Sequence, residues 1–398
     1  MATAKRETWF TGLSRNTVLL ALASLFSDVS TEMLYPILPI YLTQTLKAGG
    51  SVIGLIEGIA TGLQNIIQGF SGSLSDKLQR RKPLALVGFA VSALSKPLIG
   101  LAVAWPGVLG ARTADRLGAG FRSAPRDALV AASAEEAYRG KAFGLEGAGD
   151  NAGAFIGPLI TVALLAAFAI PLRWIFYLAI IPGALAFLMV LLVHERRVDV
   201  SAKVSLDVGL RRFPKAYGRY LGVTALFGLS NSSNAFLILQ TREMGASLTT
   251  TILIYAGYNL LAALVSYPAG DLSDRFGRRN LLILAFAIYA VSYVGFALNH
   301  SILATGLLFA LYGVHQGIFR AVGKAMAADL APPELRASGI GWYGAAIGVS
   351  GLIASLVAGQ LWDRVGHAAV FWTGAAFAAA AAVAALTLIP ASAHPGRR

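Results

Sequence analysis

Apolar residues fall in twelve long stretches separated by short polar or basic segments: roughly 16–44, 51–75, 83–105, 107–132, 142–168, 171–193, 220–241, 248–272, 280–299, 301–329, 337–361 and 368–389. About 20 predominantly apolar residues cross a bilayer as one helix. The pattern therefore predicts an all-α membrane protein with twelve transmembrane helices, which an internal repeat groups into two pseudo-symmetric six-helix bundles. The expected domains are 1–193, an N-terminal six-helix bundle; 194–219, a basic cytoplasmic linker containing Pro214; and 220–398, a C-terminal six-helix bundle. Composition agrees: 56% of the 398 residues are hydrophobic and 13% charged, against about a quarter charged in ordinary soluble domains.

Net charge changes the picture only through its distribution. A value of +13 could serve nucleic acid, but the Lys and Arg residues follow the predicted topology. With the N-terminus inside, 22 of the 33 fall in inner segments, four in outer loops (Lys47, Arg173, Arg242 and Arg364) and seven within helices. By the positive-inside rule both termini are expected in the cytoplasm, in a multi-pass protein of the plasma (inner) membrane. The basic balance then speaks of anionic lipid headgroups, and no nucleic-acid partner is expected. The first apolar stretch is too long for a cleaved signal and contains Asp28 and Glu32. There is no cysteine, which excludes disulfides and thiol chemistry. P-loop, Rossmann, H-E-x-x-H and nucleophile-elbow patterns are missing, so an enzyme or ATP-driven pump is not expected, and neither cofactor nor metal is called for.

The chain repeats itself. Gly72-Ser-Leu-Ser-Asp76-Lys77-Leu-Gln-Arg80-Arg81 after the second stretch corresponds to Gly270-Asp-Leu-Ser-Asp274-Arg275-Phe-Gly-Arg278-Arg279 after the eighth, 198 residues later. The same offset carries Phe121-Arg122 onto Phe319-Arg320 and Arg126 onto Lys324; with one residue deleted, Arg139 and Gly144 fall on Arg336 and Gly341. These two G-x-x-x-D-[RK]-x-x-R-R segments resemble the signature loops of the major facilitator superfamily, and the resemblance covers essentially the whole chain. The first copy departs from the pattern with Gln79 where Gly is usual. Tyr35-Pro36-Ile-Leu-Pro39-Ile-Tyr41 and Gly153-Ala-Phe-Ile-Gly157-Pro158 are similar to helix 1 and helix 5 segments of that superfamily's drug/proton antiporters, with Thr161 and Val162 replacing a customary Gly pair. The resemblance implies a transporter that works by alternating access and for which a monomer suffices.

Gating is expected at the loops. Gly72 and Gly270 would allow close helix approach. Asp76 and Asp274 would bind a helix N-terminus or one of Arg122, Arg126, Arg320 and Lys324 in one access state. Lys77, Arg80, Arg275 and Arg278 complete this gating set; their alternative role is to anchor topology.

Seven further charges within helices form the set of interest: Asp28, Glu32, Glu57, Lys96, Arg112, Asp115 and Arg116; helix 5 also carries Glu146 and Asp150. An ionised side chain at bilayer depth costs roughly 2.5–3.5 kcal/mol, so seven left unpaired would cost about 20 kcal/mol, above the ~5–15 kcal/mol of a typical fold. They must pair, become neutral or face water. Asp28 and Glu32 share a helix face, and residues 112, 115, 116, 122 and 126 fall within roughly 120° of arc. Their repeat positions in the second half hold no charge: Glu57 falls on Tyr255, Asn231 and Asn234 lie near the places of Asp28 and Glu32, and helix 10 carries His315. Asp28, Glu32 and Glu57 are the expected proton carriers, because desolvation favours a neutral carboxyl. Lys96, Arg112, Asp115, Arg116, Asn231, Asn234, Tyr255 and His315 are the expected cavity or substrate residues. Any of the three carboxyls could instead be a fixed partner of Lys96, Arg112 or Arg116.

The leading expectation is proton-coupled export of a small amphipathic or organic-ion substrate. Uptake or exchange of an organic anion is the alternative, and a non-transporting membrane receptor a distant one.

Overall fold

The computed structural model describes residues 13–78, 80–135, 138–195, 210–332 and 335–390; within these, the side chains of residues 69, 72–78, 139, 140, 274 and 337 stand outside the description. Among the described residues, twelve helical crossings follow in chain order. They are α1 (Arg15–Glu32, resumed by Leu38–Ile40 and a π turn at Tyr41–Thr45), α2 (Gly50–Leu78), α3 (Arg81–Leu101), α4 (Trp105–Ala132) and α5 (Arg139–Phe168); α6 (Leu172–Leu178 and Ile180–Leu191), α7 (Lys215–Gly228 and Ala235–Glu243), α8 (Leu248–Phe276), α9 (Arg278–Leu298), α10 (Ile302–Leu330), α11 (Arg336–Arg364) and α12 (His367–Leu388) complete the set. An even number of crossings puts Leu13 and Pro390 on one face, here the terminal side; the opposite face is the far side.

Among the described residues, nine helices are long and apolar enough to span a bilayer without further argument. The other three crossings, α1, α4 and α7, depart for visible reasons. Helix α4 carries the polar stripe from Arg112 to Asp127. Helices α1 and α7, expected as continuous spans over 16–44 and 220–241, are each interrupted. In α1 the regular helix ends at Glu32, just before Pro36 and Pro39, which cannot donate a backbone hydrogen bond. In α7 the run Ser230-Asn231-Ser232-Ser233-Asn234 competes for backbone groups; Ser233 Oγ accepts from Ala235 N at 3.2 Å. The two breaks are repeat mates and meet: Tyr35 OH lies 3.3 Å from Ser233 Oγ, residues 198 apart in sequence. Such a self-contact of the repeat places these residues on the axis relating the halves.

Close packing is achieved with small residues, as expected in lipid. Across the halves, α2 and α11 form a seam in which Gly50, Gly54, Gly58 and Gly62 face Trp362, Ser355, Leu352 and Gly348. Within the first half, Gly149, Gly153 and Gly157 of α5 press on α1 between Ala21 and Met33. Large apolar side chains that remain exposed, such as Leu94, Phe168, Tyr267 and Leu303, form the lipid-facing surface.

The contacts joining the halves run from the far side to the centre: Gly50 and Ser51 with Asp363, Tyr35 with Ser233, and Asn259 Nδ2 with Ala154 O at 3.3 Å. On the terminal half of α10, Arg320 and Lys324 are exposed. Extensive packing of α4 or α5 against α10 or α11 is not found among the described residues. Among the described residues, then, the halves meet on the far side and at the centre, and the terminal side lacks a matching seam.

Candidate functional site

The stripe on α4 folds into the interior of the first half. Arg112, 1% exposed, places Nε 2.9 Å from Glu57 Oε1 and Nη2 3.2 Å from Glu57 Oε2, a two-pronged pair between α4 and α2. Its Nη1 donates to Asp115 Oδ2 at 3.2 Å, and Asp115 also accepts from Ser92 Oγ at 2.6 Å. Arg116 Nε lies 3.4 Å from Asp115 Oδ2, and its Nη1 donates to Gln64 Oε1 at 3.4 Å. Its Nε and Nη2 are buried without a hydrogen-bond partner. Lys96, also 1% exposed, donates to Ser30 Oγ at 2.7 Å, and Ser30 passes the bond to Ala179 O at 2.6 Å. Lys96 therefore sits among α1, α3 and α6 within the bundle.

Farther toward the terminal side, Arg122 donates to Ser27 Oγ and lies over the Phe89 ring at 4.3 Å. Arg126 is held by Glu146 at 2.9 Å, Asp127 at 3.0 Å and Asp150 at 3.6 Å, with Ser24 Oγ donating to Glu146 at 2.7 Å. Arg278 reaches Asp329 at 2.8 Å and Arg275 pairs with Asp271 at 2.8 Å, while Arg80 is exposed. The side chains of Gly72, Asp76, Lys77 and Asp274 lie outside the described residues. Around Gly270 the space a Cβ would take is open. No described residue makes the close approach expected at Gly270.

Of the three carboxyls expected to carry protons, Glu57 is committed to Arg112. Asp28 and Glu32 differ. Neither forms an ion pair with any described residue. Glu32 instead accepts from Tyr255 OH of the other half at 2.9 Å. Tyr255 stacks on Tyr35 at 5.5 Å, and Arg112 lies over the Tyr35 ring at 5.6 Å. The aromatic series continues through Tyr258 to Tyr312, whose OH donates to Asn234 Oδ1 at 2.8 Å; Asn234 Nδ2 donates to Tyr258 OH at 3.3 Å. Asn231 lies in the α7 break. His315 is fully buried between α7, α9 and α10; its Nδ1 meets Ala285 O at 2.8 Å and its Nε2 has no partner.

The helix 5 residues explain how the two carboxyls are seated. A Cβ on Gly153 would lie 2.5 Å from Leu25 O and 2.8 Å from Asp28 Cβ; one on Gly157 would lie 3.0 Å from Glu32 Cβ. Buried Pro158 follows within the same helix. Gly153→Ala is expected to force α5 off α1, at about 1–3 kcal/mol. Gly147→Ala on the same helix, where the space is open, should leave the melting temperature in detergent unchanged. Equal melting of the two variants would contradict this packing account.

Sequence reasoning left out Tyr35, Tyr258, Tyr312, Ser27, Ser30, Ser92, Gln64 and Asp363 as site residues. Hydroxyls and amides carry no charge to flag them at bilayer depth, and Asp363 lies beyond the apolar stretch 337–361.

The family model of the Major Facilitator Superfamily matches residues 20–218 and 220–398. An uncharacterized MFS-type transporter of Methanocaldococcus jannaschii is 34% identical over 357 residues, covering 88% of this chain and 89% of that protein. The chain belongs to the Major Facilitator Superfamily. Its superfamily relatives include a probable 4-methylmuconolactone transporter of Cupriavidus pinatubonensis, 29% identical with 88% and 84% covered. Another is the multidrug resistance protein MdtH of Proteus mirabilis, 24% identical with 80% and 81% covered. Among solved structures the nucleoside transporter NupG superposes with a TM-score of 0.78 at 14% identity, over 94% of this chain and 98% of that one. Superfamily membership makes the chain a multi-pass membrane transporter of a small molecule and not an enzyme.

Proposed function

We propose that this transporter couples protons to the export of a small amphipathic or organic-ion substrate, acting as a monomer in the cytoplasmic membrane with its termini inside. The observation that carries the reading is the pair Asp28 and Glu32. These carboxyls sit one turn apart at membrane depth without a cationic ion-pair partner among the described residues, and one of them is hydrogen-bonded to the opposite half. An ionised Glu32 accepts a charge-assisted bond from Tyr255; a proton on Glu32 removes that charge and weakens the tie. Proton and cationic substrate are then alternative ways to neutralise the same two groups, which is the condition for exchange. The bundles 1–193 and 220–398, joined by 194–219, would rock about the Tyr35–Ser233 contact. In this reading Asp76 and Asp274 close the terminal side when the far side opens.

Export is supported by the seating of α5 glycines against both carboxyls and by the relative named a multidrug resistance protein. Organic-anion uptake is the second reading. It is favoured by Arg116, whose Nη2 is buried without a hydrogen-bond partner, and by exposed Arg320.

The test uses proteoliposomes and a substrate found by thermal-shift screening of drugs, sugars and organic acids. Transport is expected to follow an imposed pH gradient. If it ignores the gradient and survives Asp28→Asn with Glu32→Gln, proton coupling is wrong. Counterflow confined to anionic compounds would select the second reading.

A further inference from the structure

The first turn of any helix leaves backbone N–H groups without partners, and a Ser, Thr, Asp or Asn before it usually accepts from them. Helix α2 is preceded by Gly49, which has no side chain to offer. Its cap comes instead from the other half of the molecule. Asp363, in the last turn of α11, accepts from Gly50 N at 2.7 Å, Ser51 N at 2.8 Å and Ser51 Oγ at 2.5 Å. The repeat supplies a control. Residue 49 plus the offset of 198 is Ser247, the residue before α8, and Ser247 Oγ caps its own helix by accepting from Thr250 N at 3.0 Å. Where one half caps itself, the other borrows.

Asp363 also stands where its own helix disfavours it, because a carboxylate at a helix C-terminus opposes the negative end of the dipole. The N-terminus of α2 offers the complementary positive end. Beneath the cap the seam is close. A Cβ on Gly54 would run into Ser355 O, and one on Gly359 would lie 2.5 Å from Gly50 O. The halves therefore cannot part on the far side without pulling Asp363 off α2.

We propose that Asp363 and the uncapped start of α2 form a latch that holds the far side shut. Opening that side strips α2 of its cap, and closing restores it. The latch resides in one seam only, since α8 keeps its Ser247 cap whatever the other half does. This inference rests on the alternating-access reading given above.

The chain has no cysteine, so single reporters are clean. Ser355→Cys reports the far seam and Lys324→Cys the terminal opening, each labelled in proteoliposomes by an impermeant maleimide added from its own side. Adding Asp363→Ala is expected to raise the labelling rate of Ser355→Cys about tenfold, in keeping with the loss of one helix cap, and to lower that of Lys324→Cys. Asp363→Asn keeps the shape and an accepting oxygen without the charge, and should give an intermediate rise. In the Asp363→Ala background, Gly49→Ser should return hydrogen-exchange protection to the first turn of α2 without reclosing the seam. Labelling of Ser355→Cys that stays at the parental rate in both Asp363 variants would overturn the latch and leave alternating access intact. Faster labelling of both reporters at once would overturn alternating access, and the latch with it.

Discussion

Arg112→Met is expected to lower the stability of the transporter by about 3–5 kcal/mol, the cost of leaving a buried partner charge uncompensated. The stranded group is Glu57, 3% exposed and held by two prongs from Arg112. Asp115 suffers less, because Ser92 and Arg116 remain beside it. Arg112→Met combined with Glu57→Met removes both charges and should recover most of the loss, since an apolar pair of similar volume often replaces a buried ion pair at no cost. Detergent melting curves of the two single variants and the double variant read this directly. A double variant no more stable than Arg112→Met would show that the pair is not the unit that matters. The same expectation bears on the anion reading: lost transport in an Arg112 variant reports folding first, so the informative cation is Arg116.

How far the sequence carried this reading depends on the length scale. The twelve crossings were visible because an apolar run of bilayer length is a one-dimensional signal. The repeat was visible because Asp76 and Asp274 lie in segments that match residue by residue. The breaks in α1 and α7 were not anticipated, although Pro36, Pro39 and the Ser230–Asn234 run stood in plain view. A membrane span tolerates such residues when neighbours satisfy the freed backbone, so composition alone does not say whether a helix breaks.

At the site, seven charged residues belong to one set because each must pair, become neutral or face water at bilayer depth; their separate roles come from their neighbours in the fold. Glu57 and Glu32 look alike in sequence, each an acid within an apolar stretch. They part company because α4 brings Arg112 against one and α8 brings Tyr255 against the other. Lys96 looked like a cavity cation, and lies against Ser30 inside the bundle. Asp363 drew no notice because it ends its span, and its partner is a pair of backbone amides more than 300 residues away in the chain.

Glu32→Gln should separate coupling from movement. The amide keeps the shape and still accepts from Tyr255, but it can neither bind a proton nor bear a charge. Exchange of labelled for unlabelled substrate at equal pH should persist in this variant. Uphill accumulation should vanish. For each proton exchanged, one pH unit is worth 1.36 kcal/mol, or about tenfold accumulation, and Glu32→Gln should fall to a ratio of about one. Asp28→Asn, one turn toward the terminal side with no ion-pair partner among the described residues, should reduce accumulation in the same direction.

The most direct measurement is proton movement itself. Liposomes holding a trapped pH-sensitive dye and the reconstituted transporter receive substrate with no gradient imposed. The account predicts a substrate-dependent change of internal pH with wild-type protein and none with Glu32→Gln, while both exchange labelled substrate. An equal pH change in the two proteins, or substrate transport by wild type without any, would contradict it.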